Sequence, residues 1–104
     1  MIHVPEALPY EVRINTGSKA IAYSGDTEWT PALIELARDA DLLLCECNFF
    51  ESEVAGHMDY ATLRAHDHEL GYKRMILTHL GGEMLRNRHR IAHDCADEGM
   101  EISV

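Results

Sequence analysis

Three apolar runs in this chain end the same way, and that repetition constrains the fold more than any other feature. Ile21-Ala22-Tyr23 breaks at Ser24-Gly25 and closes on Asp26; Leu42-Leu43-Leu44-Cys45 ends in Glu46; Met75-Ile76-Leu77-Thr78 ends in His79. Short near-continuous apolar runs are the pattern of strands covered on both faces, as in parallel sheets. Each run therefore reads as a buried strand that delivers an ionisable side chain just past its carboxyl end. In open α/β sheets ligands collect beyond the carboxyl ends of strands, so the repetition is already a site hypothesis.

The segments between these runs supply the rest of an α/β domain. Met1 to Pro9 is an extended lead-in, since each residue before a proline is biased away from helix. Tyr10 to Ile14 alternates like a half-exposed strand, Asn15 to Ser18 is turn chemistry, and Lys19 to Tyr23 completes a hairpin. Thr30-Pro31 starts a helix that runs to about Asp39, with Leu33, Ile34 and Ala37 on one face. Asn48 to Met58 lacks periodicity and reads as a mobile loop. Asp59 caps a helix that turns Leu63 and Leu70 inward and stops at Gly71. Glu83 to Glu98 carries an apolar stripe and is expected to form the last helix, followed by a short strand from Glu101 to Val104. Strands alternating with helices make the chain α/β, with a mixed sheet and helices on one face.

Length and charge narrow the function classes. At 104 residues the chain makes a single domain, and its formal charge of −9 repels a phosphate backbone. Nucleic acid is thus disfavoured and a small-molecule substrate preferred. No apolar run reaches the roughly 20 residues of a membrane span, no charged-then-apolar leader opens the sequence, and an odd count of three cysteines gives no disulfide framework. A cytoplasmic location is the expectation.

Taken singly, Asp26 and His79 have ordinary structural readings, as a turn carboxylate and a strand terminator. At equivalent strand ends, however, a carboxylate and an imidazole are the donor types a divalent cation needs. Glu46 is costly to bury unpaired, and His57, on the loop leaving the same strand, is its expected partner. Such a pair fixes the imidazole tautomer for proton transfer. His66-Asp67-His68 does not share a helix face, His89 and His93 lack the glutamate of a zincin helix, and Cys45, Cys47 and Cys95 read as core cysteines.

These residues bring a family into view. Tyr23-Ser24-Gly25-Asp26-Thr27 resembles the "SGDT" segment of the metallo-β-lactamase superfamily, and Ile76-Leu77-Thr78-His79 its late "LTH" segment. The resemblance covers essentially the whole chain and corresponds to the C-terminal half of that fold, one half of an αββα sandwich. It implies that Asp26 bridges two metal ions, that His79 binds the second, and that His3 is similar in position to the superfamily's middle metal-binding histidine. Leu44-Cys45-Glu46 and Gly56-His57 resemble the Glu and His that ribonuclease Z-type members pair for proton transfer. The superfamily's His-x-His-x-Asp-His motif has no counterpart, because His66-Asp67-His68-Glu69 continues into Leu70-Gly71. Two readings follow. One is a zinc-dependent hydrolase, or the C-terminal half of one, in which Asp26, Glu46 and His57 serve catalysis on an ester, amide or phosphoester. The other is an inactive half-fold that acts in assembly or binding. Half of a sandwich also implies an uncovered sheet face, hence either a homodimer through that face or an N-terminal half that completes it.

Overall fold

The computed structural model describes residues 2–3, 11–96 and 101–102. Its centre is a five-stranded sheet ordered β2-β3-β4-β5-β6. β2 (Val12–Thr16) and β3 (Lys19–Tyr23) form the expected antiparallel hairpin, closed by Gly17-Ser18. Gly17 takes φ +59°, the left-handed conformation that a tight hairpin turn demands. β4 (Leu42–Glu46) lies parallel between β3 and β5 (Met75–Thr78), and the two-residue β6 (Asp94–Cys95) extends the parallel edge. A separate antiparallel pair joins β1 (Ile2–His3) to β7 (Glu101–Ile102).

Strand alternation sorts the apolar residues into two layers. Ala22, Leu43, Cys45, Met75 and Leu77 point to the face where the helices pack: α1 (Ala32–Ala37) through Leu33 and Leu36, α2 (Tyr60–His66) through Tyr60 and Leu63, and α3 (Gly82–Arg86) through Met84. Tyr23, Leu42, Leu44, Ile76 and Ala96 form the second cluster, on the opposite face. Helices on one face of a mixed sheet is the arrangement the sequence implied.

Local chemistry explains the boundaries. Asp59 caps α2 as expected, accepting from the Thr62 N–H at 2.9 Å and the Thr62 hydroxyl at 2.8 Å. The expected helix from Glu83 to Glu98 is not continuous. α3 ends at Asn87, whose Nδ2 donates to the Glu83 carbonyl at 2.8 Å and so replaces the next turn of helix. A 3-10 turn at Arg88–Arg90 follows, and the chain then turns extended to pair with β5.

On the second sheet face the strand side chains pack against one another. Leu42, Leu44 and Ile76 are 1–3% exposed within the single chain. The strongly exposed large apolar side chains among the described residues, Ile14, Val54 and Leu85, belong to a strand, a loop and a helix. No helix among the described residues is long and apolar enough to cross a membrane.

Candidate functional site

The carboxyl ends of β3, β4 and β5 lie side by side, so the sheet itself gathers Asp26, Glu46 and His79 at one rim. Backbone bonds beyond the ladders keep these exits together: Ser24 N–H donates to the Leu44 carbonyl at 2.9 Å, and Cys47 N–H to the Thr78 carbonyl at 3.0 Å. Asn48 then cross-links the exits of β4 and β5. Its Nδ2 donates to the His79 carbonyl at 3.0 Å while its own carbonyl accepts from the Gly81 N–H at 3.0 Å. His79 sits at φ +54°, a conformation costing a side-chain-bearing residue about 1–3 kcal/mol that surrounding bonds must hold.

Glu46 and His57 do not form the pair the sequence suggested. Glu46 lies on the sheet face opposite the helices, where the Tyr23 hydroxyl donates to its Oε2 and the His79 Nδ1 stands 3.9 Å from its Oε1. Its own N–H donates to the Ser24 hydroxyl at 3.0 Å. Only 5% exposed, this carboxylate is hydrogen-bonded by the Tyr23 hydroxyl and faces the His79 ring. His57 occupies the far side of the loop and meets Asp26 instead, with Nδ1 3.0 Å from Asp26 Oδ1 and 3.3 Å from Asn48 Oδ1. The reason is directional. Glu46 points into the sheet face it shares with Tyr23, whereas the loop returns to the rim over the end of β3.

The loop is tied at both ends. The Glu83 Oε1 accepts the N–H groups of Phe50, Glu51 and Ser52 at 3.0, 2.6 and 2.9 Å, and the Ser52 hydroxyl donates to Oε2 at 2.6 Å. These donors hold the Glu83 carboxyl at about 2, well below its ordinary value. On the return, Phe49 N–H donates to the Met58 carbonyl at 3.3 Å and Tyr60 N–H to the Phe49 carbonyl at 2.8 Å. A cavity of about 380 Å³ opens beside His57, with Trp29, Glu28, Glu53 and Val54 in its wall.

Of the expected metal ligands, Asp26 and His79 share the rim and are the right donor types, whereas the side chain of His3 lies outside the described residues. Asp26 is already engaged with His57, and no group of three or more His, Cys, Asp or Glu among the described residues is placed to hold an ion. The described residues alone do not fit a metal centre. Tyr23 and Asn48 are the site residues that sequence reasoning missed. The signal for Tyr23 was its register, since it pairs with Leu44 two residues before Glu46 and is thus Glu46's diagonal neighbour on one face.

A family model described as beta-lactamase superfamily domain matches residues 3–80. The probable metallo-hydrolase YhfI of Bacillus subtilis is 36% identical over 74 residues, covering 68% of this chain and 30% of the relative. A ribonuclease Z of Myxococcus xanthus is 40% identical over 67 residues, covering 60% and 22%. The crystal structure of YhfI, a metallo-beta-lactamase fold protein, superposes with a TM-score of 0.66 and 25% identity over 96% of this chain and 47% of that one. The chain spans less than half the length of each of these proteins.

Proposed function

The chain belongs to the beta-lactamase superfamily, and from that premise we propose that it carries the acid–base rim of a metallo-hydrolase acting on an ester, amide or phosphoester of a small molecule. The observation that carries this reading is His57 held between Asp26 and Asn48 at the strand ends. With Nδ1–H directed at two acceptor oxygens, the neutral ring has Nε2 as its proton acceptor, the state a general base needs. Asp26 orients the ring. Glu46, its carboxyl bonded by Tyr23 and its backbone N–H by Ser24, is fixed beside His79. Glu28 and Glu53 in the cavity wall disfavour a polyanion, which supports a small substrate over nucleic acid.

Members of this superfamily generally bind divalent metals. In this chain Asp26 and His79 are the residues that would take part in such binding, and further donors have to join them, since tight protein zinc sites typically use three or four ligands. A metal held by Asp26 and His79 alone would exchange readily and be lost on dialysis against a chelator.

The test is hydrolysis of p-nitrophenyl acetate and bis(p-nitrophenyl) phosphate by the full chain, with and without added Zn²⁺ or Mn²⁺, alongside metal uptake by calorimetry. Turnover is expected to fall by about a hundredfold in His57→Ala, and metal uptake to fall in Asp26→Ala and His79→Ala. Absence of both turnover and metal uptake would overturn the hydrolase reading and leave an assembly role.

A further inference from the structure

On the helix side of the same loop, Phe50, Glu51, Tyr60, Ala61, Arg64 and Arg90 line a second cavity of about 350 Å³. Arg64 reaches it because Tyr60, Ala61 and Arg64 lie three and four residues apart along α2 and so share a face. Arg90 reaches it from the 3-10 turn after α3. Its guanidinium lies 4.8 Å from the centroid of the Phe50 ring, and its Nη1 donates to Asn87 Oδ1 at 3.3 Å. Phe50 is in turn stacked on the buried Tyr60, with ring centroids 5.9 Å apart and planes at 26°.

Two charges of one sign facing one cavity are unusual in a chain with 18 acidic and 9 basic residues. Neither Arg64 nor Arg90 has a carboxylate at ion-pair distance among the described residues, although Glu51 stands in the same wall. Arg90 is also preorganised by its aromatic and amide contacts, which lowers the ordering cost of binding. Planar guanidinium forks match tetrahedral oxyanions bidentately.

We propose that this cavity is an anion site for the phosphate group of a small organic phosphomonoester, anchored by Arg64 and Arg90. It is separate from the His57 rim and does not depend on hydrolysis. A dianion suits it better than a monoanion, because it engages both guanidiniums and offsets the repulsion from Glu51 and the net charge. Glu51 then limits affinity.

Calorimetric titration of the full chain with phenyl phosphate, inorganic phosphate, benzoate and a short single-stranded oligoribonucleotide tests this without any activity readout. Phenyl phosphate is expected to bind saturably and more tightly than benzoate, with affinity falling about tenfold or more in Arg64→Gln and in Arg90→Gln and rising in Glu51→Gln. Arg64 is exposed on α2, so its variant tests the site even if loss of the Phe50 contact unfolds Arg90→Gln. The proposal is overturned by any of three results: no saturation at millimolar phenyl phosphate, unchanged affinity in Arg64→Gln, or tighter binding of the oligoribonucleotide through the same arginines.

Discussion

Replacing Gly81 by alanine should loosen the site's scaffold through one atom. A Cβ on Gly81 would lie 2.5 Å from the Asn48 carbonyl oxygen, 3.5 Å from its carbon and 4.0 Å from its Cα. The first contact is about 1 Å inside ordinary van der Waals separation, and its partner is backbone that cannot rotate away. Gly81 has φ −78° and ψ 176°, so alanine tolerates the conformation and the cost is purely steric. Forced overpacking typically costs about 1–3 kcal/mol. Stretching the Gly81 N–H bond to Asn48, now 3.0 Å, adds part of a hydrogen bond worth about 1 kcal/mol. The sum, about 1–4 kcal/mol, corresponds to a fall in Tm of roughly 4–30 °C for a domain of this size. Asn48 also holds the His79 carbonyl and faces His57, so the ring signals of both histidines should move in NMR spectra. Gly56→Ala is the control. Its φ of +81° carries a conformational cost of about 1–2 kcal/mol, but nothing lies within 4 Å of the added Cβ, so the signal of His79 should stay in place. Urea unfolding of both variants decides. A Gly81→Ala protein within about 0.5 kcal/mol of the parent would refute the steric argument.

Tyr23→Phe removes the donor to a buried carboxylate and should cost about 1.5–3 kcal/mol at neutral pH; adding Glu46→Gln should give less than the sum of the single effects, as a double-mutant cycle would show. Glu83 has a folded pKa of about 2 against an ordinary 4.5, so its contribution to stability is full above the unfolded value and lost as pH falls from about 4.5 towards 2. The difference in urea midpoint between the parent and Glu83→Gln should therefore shrink across that window, and a constant difference would contradict the clamp. Burial pushes the Cys45 thiol up to about 12 and raises Cys47 as well, so iodoacetamide at pH 8 should spare both in the native state, with half-buried Cys95 labelled first by mass spectrometry.

How much could be read from the residues depended on the range of the interaction. β4 and β5 were legible because Leu42-Leu43-Leu44 and Met75-Ile76-Leu77 are apolar on both faces, and α2 because Asp59 is a local cap. The rim followed from those strands together with β3, whose parallel ends brought Asp26, Glu46 and His79 together. The partners on the rim were not legible. Whether Glu46 meets His57 or Tyr23 depends on which sheet face its side chain takes, and register sets that, not spacing along the loop. The end of α3 was hidden because Ile91, Ala92 and Cys95 continue a helical period that Asn87 interrupts with a single side-chain bond. β6 has only two residues, too few for any periodicity to show.

The clamp that Glu83 places on Phe50, Glu51 and Ser52 has an evolutionary corollary. Order at the start of the His57 loop is imposed by a carboxylate from α3, and order at its return by bonds between Phe49, Met58 and Tyr60. The tip, Glu53 to Gly56, makes fewer such bonds, the Val54 carbonyl accepting the His57 N–H at 3.0 Å, and it borders the cavity next to His57. The side chains of Glu53, Val54 and Ala55 can be exchanged without disturbing the sheet, whereas Gly56 is kept by its φ of +81°. The architecture separates what a descendant of this chain recognises from what keeps it folded, so new specificities can be sampled at the tip while the rim chemistry is inherited intact.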